Sequence, residues 1–413
     1  MDRPATFRVL LCAFGAVLFV FALVPILHCL RGHSIKDYLV WYETGQQVLR
    51  GGEVYPNQWH KFPFMYPPSC ALFLAPLSAL GQTGLVVTLV LVNAAAWICC
   101  IVFSARLATG ERSRAHFLVY FIPSFIVAVY VWGNFLLGQP SLLLLALMLG
   151  AFIALQKRSF ILAGGLIALA AAIKAFPVLA LVYLVYRRYW VAAGTLVLTL
   201  TFLLIVAPIP FRGFAQAKQD LQRWSSGMLL KYDESGVGQR EGRSNSWRNQ
   251  SIWGVSNRLL RQVEYDHSYK PHTPVYANFA DLNFKTMNVI IVALGLLLGL
   301  AYVAVMPAAS RRNPETDAIE FALLLLLMLI FTPLSFGYLF AWLLYPFTVI
   351  VQRILRAPGS RILPGLTIAA IALLSLSIPF RILAQAYGST MLAALLLFVG
   401  LALELWRMKR ANA

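Results

Sequence analysis

Residues 34–68 read SIKDYLVWYETGQQVLRGGEVYPNQWHKFPFMYPP. This stretch follows at once on an apolar run, Val9–Leu30, which at roughly 20 residues is long enough to cross a bilayer as a helix. It is too polar, and too rich in glycine and proline, to continue that span, so the chain must surface here. It also holds Asp37, Glu43 and Glu53, three of only 16 acidic residues among 413. An acid kept at the rim of a membrane bundle costs free energy and usually has a task.

The rest of the chain agrees with a membrane reading. It is 60% hydrophobic and 12% charged, against about 25% charged in soluble domains, and its mean hydropathy is +0.73. Arg3 and Arg8 before the first run resemble a signal peptide. The run is long for one and lacks a clear small-residue cleavage site, so it is expected to stay as the first span. The net charge of +18 fits cationic loops that orient the bundle and meet anionic membrane lipids. Nucleic acid is not an expected partner, since no basic and aromatic platform is present. Cys12, Cys29, Cys70, Cys99 and Cys100 lie in or beside apolar runs without metal spacing and read as small core residues.

Basic clusters between the apolar runs mark the cytoplasmic side. They are Arg3 and Arg8; Arg106, Arg112 and Arg114; Lys157 and Arg158; Arg187 and Arg188; Arg311 and Arg312; Arg353, Arg356 and Arg361; and Arg407, Lys409 and Arg410. From residue 106 onward, successive clusters are separated by pairs of apolar runs: 117–134 with 140–156, 160–173 with 175–187, 190–210 with 286–306, 317–332 with 338–354, and 362–382 with 389–406. Residues 67–105 must then cross an odd number of times. They divide into a short interfacial or re-entrant helix over 67–80, opened by Pro67-Pro68, and a second span over 84–105. The expectation is an all-α polytopic transmembrane bundle, residues 1–413 as one domain, with about twelve spans and both termini cytoplasmic. A thirteen-span alternative breaks the charge rule once. The twelve-span layout puts the first loop, 31–66, and a long loop, 211–284, on the outer face. Gly138-Gln139-Pro140, Lys174, Thr332 to Ser335 and Gln385 to Ser389 fall on the same face.

No glycine-rich phosphate loop, HExxH motif or His/Cys cluster occurs. The candidate chemistry therefore rests on isolated polar residues at the outer rim. Asp37 lies where a general base for a lipid-linked substrate should stand, within about 2.6–3.2 Å of the hydroxyl it deprotonates; it fits equally a residue that caps or solvates the loop. Glu43 is the substitute base, and Glu53, after Gly51-Gly52, reads as a turn residue. Lys174, in Ile173-Lys174-Ala175-Phe176-Pro177, suits a lipid phosphate or a snorkelling side chain. Arg258 and Arg261 are further phosphate candidates, with Arg261 closer to an ordinary solvated charge. Asn249-Gln250-Ser251 is a glycosylation sequon read as unmodified, and His267 and His272 are given no role. Trp41, Tyr42, Tyr55, Trp59, Phe64 and Tyr66 could stack on sugars, but aromatics crowd membrane interfaces in any case.

The ordered motifs resemble glycosyltransferase family 87. Asp37-Tyr38, Tyr42, Arg50-Gly51 with Tyr55, and Phe64-Met65-Tyr66-Pro67-Pro68 look like that family's first outer loop. Gly138-Gln139, Lys174-Ala175-Phe176-Pro177 and Asn249-Gln250-Ser251 with Arg258 look like its later motifs, in the same order. The resemblance spans about residues 30–350 and implies a GT-C fold with its site on the outer face. It implies a polyprenyl-phosphate sugar donor, usually mannose, and a lipid or glycan acceptor. It makes Asp37 the catalytic aspartate. Its motif residues Tyr38, Tyr42, Tyr66, Gln139, Lys174, Asn249, Gln250, Ser251 and Arg258, together with Glu43 from the residue-level reading, are expected at the substrates. The expected reaction is an inverting single displacement without a cofactor or metal. One departure is Pro333-Leu334-Ser335-Phe336, which no histidine follows where some members carry one. A transporter or flippase for a lipid-linked or sugar substrate is the competing reading, and a structural scaffold the third.

Overall fold

In a computed structural model of the chain, residues 4–55, 63–110, 115–238, 243–266, 273–356 and 361–411 are described. Arg3, Trp59, Arg112, Arg114, His267 and His272, named above, lie outside them. The described residues are mostly helical, with one two-stranded hairpin, Tyr232–Asp233 against Gly236–Val237. Among the described residues, seven helices are long and apolar enough to cross a membrane: Arg8–Leu30, Gly81–Thr109, Phe117–Leu137, Trp190–Arg212, Phe284–Val305, Gly337–Arg356 and Ser389–Ala411. Shorter apolar helices cover Pro68–Ser78, Ser141–Gln156, Phe160–Ile173, Phe176–Tyr186 and Ile362–Leu376. Pro314–Phe331 completes the set; its first turns carry Glu315, Asp317 and Glu320 before a wholly apolar, buried run. Every expected span thus has a helix, and the chain is an all-α, multi-pass membrane protein.

Local chemistry explains where helices stop short of expectation. The run 362–382 was expected to be continuous, but its helix ends at Leu376 and a separate one covers Arg381–Ala386. Pro379 lacks the N–H that an uninterrupted helix would need. Pro68–Ser78 has 11 residues, about 16 Å of helix, half of what a bilayer core demands. The Phe160–Ile173 helix stops at Lys174, which is extended at φ −147°, ψ 124°. The ring of Pro177 would clash with the Ile173 carbonyl if the helix ran on.

The chain divides into two compact units. One comprises residues 1–104, 116–121 and 128–231, the other 105–115, 122–127 and 232–413. In the first, Asp37–Leu49 packs closely on Pro68–Ser78. A Cβ at Gly45 would stand 2.7 Å from the Leu74 carbonyl, and Gln46 Nε2 donates to the Ser78 carbonyl at 2.8 Å. Arg212, its side chain 2% exposed, pairs with Asp220 at 2.9 Å and donates to the Gly52 carbonyl at 2.7 Å. Arg223 donates to the Tyr55 carbonyl and meets Glu53 at 3.0 Å. The segment after the Trp190–Arg212 helix thereby braces the first loop.

In the second unit, ion pairs collect the basic clusters. Arg353 joins Glu315 at 3.1 Å and Glu404 at 2.8 Å. Arg356 joins Glu315 at 2.9 Å and donates to the Thr109 carbonyl at 3.0 Å, and Arg312 pairs with Asp317 at 2.8 Å. Segments near 109, 312–317, 353–356 and 404 therefore meet at one end of this unit.

Candidate active site

The Asp37–Leu49 helix begins on Asp37, so the carboxylate sits at the positive end of the helix dipole. The residue before it is strained: Lys36 has φ 52°, ψ −121°, a conformation that only glycine adopts without cost. Tyr38, Trp41, Thr44, Gly45 and Val48 form the buried face. The Tyr38 hydroxyl donates to the Phe135 carbonyl at 2.8 Å, and Trp41 Nε1 to the Gly138 carbonyl at 2.8 Å. Both bonds fasten the helix to the C-terminal end of Phe117–Leu137. That helix closes on Gly138 at φ 74°, ψ 30°, the left-handed cap glycine supplies. A Cβ at Gly138 would also lie 2.8 Å from the Tyr38 ring.

This junction delivers Gln139 to Asp37. Gln139 Nε2 donates to Asp37 Oδ2 at 2.5 Å, and its Oε1 accepts from the Tyr66 hydroxyl at 2.7 Å. Tyr66 is held in turn. Its carbonyl accepts from the Tyr55 hydroxyl at 2.5 Å, and its ring stands 4.5 Å from Trp41 and 5.7 Å from Phe64. Lys174 Nζ lies over the same ring, 5.4 Å from its centroid. Ser69 Oγ donates to the Ala172 carbonyl at 2.6 Å, which fixes the helix end from which Lys174 projects. Four segments remote in sequence thus bring Asp37, Tyr66, Gln139 and Lys174 into one cluster. Asp37, Tyr66 and Lys174 are half-buried, and Gln139 is 3% exposed.

Other residues expected at the substrates occupy different places. Tyr38 is fully buried; it props the helix, and burial pushes its phenol well up. Trp41, Tyr55 and Phe64 are also buried and pack on one another and on Tyr66, so interface packing rather than sugar stacking accounts for them. Tyr42 is half-buried. Glu43 is exposed, about 140° around the helix from Tyr38 at 100° per residue, and so lies opposite the packed face.

Asn249, Gln250, Ser251 and Arg258 come together in the second unit, in a knot of loops. Asn249 Nδ2 donates to the Ser244 and Pro333 carbonyls at 2.9 Å, while its Oδ1 accepts from the Ser251 and Ser335 amides. A side chain with no exposed surface and both N–H groups engaged is not presented for glycosylation. Gln250 Nε2 donates to the Trp247 and Gln385 carbonyls at 2.7 Å, and Ser251 caps the Ile252–Leu260 helix. Arg258 sits at the centre. Its Nε donates to the Ala386 carbonyl, Nη1 to those of Asn245, Ser246 and Asn249, and Nη2 to that of Gln385. It has no exposed surface, and burial lowers it to about 9, still charged at neutral pH. The guanidinium ties the 245–249 and 385–386 segments together through their main-chain carbonyls. Arg261 is 7% exposed and paired with Glu234 at 2.9 Å, so it is not the solvated charge expected.

Sequence reasoning passed over Lys36, whose strain no residue type announces, and the Arg212–Asp220 brace. An arginine and an aspartate eight residues apart in a polar loop give no sign that they are buried against Gly52. Among the described residues no three His, Cys, Asp or Glu side chains converge as metal ligands.

The model of glycosyltransferase family 87 matches residues 64–333 of the chain. The matched region contains Tyr66, Gln139, Lys174 and the Asn249–Arg258 knot and begins after Asp37. No individually curated protein matches.

Proposed function

The chain belongs to glycosyltransferase family 87, and we propose that this membrane enzyme transfers mannose from a polyprenyl-phosphate donor to a hydroxyl of a lipid or glycan acceptor. The family already makes it a glycosyltransferase, which leaves the transporter reading without a distinguishing observation. Asp37 is the general base. The observation that carries this reading is the anchored carboxylate: Gln139 donates to Asp37 and accepts from Tyr66, whose ring lies under Lys174, and Gln139, Tyr66 and Lys174 are all inside the family match.

In the reaction, Asp37 takes the proton from the acceptor hydroxyl as its oxygen attacks the anomeric carbon. The bond from that carbon to the phosphate oxygen breaks, the lipid phosphate leaves with the electron pair, and the anomeric configuration inverts. Lys174 stabilises the charge that grows on the leaving phosphate, a role suited to a cation held in a water-poor site. Phosphate leaves readily, so no general acid is required. Tyr42 and Tyr66 are half-buried and offer the aromatic surface nearest the sugar.

The site faces outward and both termini are cytoplasmic. Supporting a cytoplasmic end for the second unit, Arg312, Arg353 and Arg356 gather with Thr109, Glu315 and Glu404 at one end of that unit, in keeping with the positive-inside rule. The test is to incubate purified protein with labelled polyprenyl-phosphate mannose and a native membrane extract. Labelled glycan or glycolipid of inverted anomeric configuration, with equimolar polyprenyl phosphate, is expected. Absence of any product while another polyprenyl-phosphate sugar is consumed would overturn the choice of mannose, and retained configuration would overturn the single displacement.

A further inference from the structure

We infer that Gln139 serves the Asp37 carboxylate and not the substrate: it is a positioning residue, itself aligned by Tyr66, that holds the base in its reactive orientation. The inference rests on the reading of Asp37 as the base. A carboxamide has one donor end and one acceptor end, whereas an ionised carboxylate only accepts. Asp37 therefore dictates that Gln139 Nε2 faces it, at 2.5 Å. Oε1 then points the other way, at the Tyr66 hydroxyl 2.7 Å off, which is left to donate. Every proton in the relay Tyr66 O–H to Gln139 Oε1, and Gln139 Nε2–H to Asp37 Oδ2, has one allowed position.

The backbone removes the remaining freedom. The Gln139 amide donates to the Asn134 carbonyl at 3.0 Å, directly after the left-handed Gly138. Tyr66 is pinned through its carbonyl by Tyr55 and through its ring by Trp41. Gln139 is 3% exposed, its Oε1 accepts from Tyr66 and one of its two Nε2 protons goes to Asp37, so its burial makes Asp37 its route to whatever reaches the site. A carboxylate fixed this way does not have to find its orientation when the acceptor hydroxyl arrives. That is a property of kcat, not of donor affinity.

The experiment compares Gln139→Leu, Gln139→Glu, Tyr66→Phe and Asp37→Asn in the full chain, reconstituted in lipid, with kcat, donor KM and thermal unfolding measured for each. Gln139→Leu removes a hydrogen bond to a charged group, so kcat should fall about tenfold to a hundredfold, with donor KM unchanged. Gln139→Glu keeps size and shape but sets an acceptor-only carboxylate against another, and should fall at least as far. Tyr66→Phe should lower kcat by a smaller factor. A packing role reverses the order, with the isosteric Glu close to wild type and Leu impaired in unfolding temperature; a substrate contact raises KM and spares kcat. Either result overturns the inference. An inactive Asp37→Asn beside a Gln139→Leu of wild-type kcat overturns the relay alone, while an active Asp37→Asn overturns the base reading beneath it.

Discussion

Replacing Arg258 by Met separates the two roles open to that residue. The side chain donates to five carbonyls, of Asn245, Ser246, Asn249, Gln385 and Ala386. Two of these keep a second donor: Ser246 has the Asn249 amide and Gln385 has Gln250 Nε2. The carbonyls of Asn245, Asn249 and Ala386 lose the donor that ties them to the knot. A buried group left unsatisfied costs about 1–3 kcal/mol. Three such groups, less the relief of the buried charge, leave a net loss of about 3–5 kcal/mol. At about 2–4 °C per kcal/mol for a domain of this size, unfolding in lipid nanodiscs should begin about 10 °C lower. Arg258→Lys should recover little, because a compact ammonium cannot reach carbonyls spread around a planar fork. Donor KM of the folded fraction should be unchanged. A variant with wild-type unfolding temperature and a raised donor KM would refute the structural role and return Arg258 to the phosphate.

Lys36→Gly should stabilise the protein by about 1 kcal/mol, since relief of a strained backbone worth about 1–3 kcal/mol exceeds the added freedom of glycine in the unfolded chain; a lower unfolding temperature would contradict the strain. Lys174→Gln should weaken use of the donor about tenfold to a hundredfold, the worth of one charge-assisted bond, and wild-type donor kinetics would remove Lys174 from the site. In a cysteine-free background, a cysteine at Gln47 should react with an impermeant maleimide on intact cells, and one at Ser310 only after permeabilisation. Both positions are exposed, and the opposite pattern would invert the topology.

The spans were legible because an apolar run of bilayer length leaves the backbone few alternatives to a helix. Their ends were less so. Gly81 and Thr109 bound a helix expected over 84–105, because helix continues into the interface for as long as no residue forbids it. The run into 382 fails at Pro379, and Gly337–Leu343 is a 3-10 turn entering the Leu344–Arg356 helix, which apolar composition does not reveal. Within the site, Asp37 and Lys174 stood out because a charge in an apolar neighbourhood is costly. Gln139 was legible as a motif residue, but its contact could not be read: an amide 102 residues from its carboxylate leaves no local trace. The burial of Arg258 was hidden for a related reason. Sequence shows a cation in a polar loop and does not show that two other segments, 245–249 and 385–386, turn their carbonyls toward it.

The most direct measurement is sugar transfer by Asp37→Asn from labelled polyprenyl-phosphate mannose, with Glu43→Gln in parallel. The amide keeps the size and much of the hydrogen bonding of Asp37 while removing the base, whose contribution is typically about 10²–10⁴-fold. Transfer should fall by that factor while the protein still inserts and still binds donor lipid, and Glu43→Gln, altered on the exposed face of the same helix, should lose far less. An Asp37→Asn enzyme that transfers sugar at the wild-type rate would contradict the claim that the carboxylate held by Gln139 is the catalytic base.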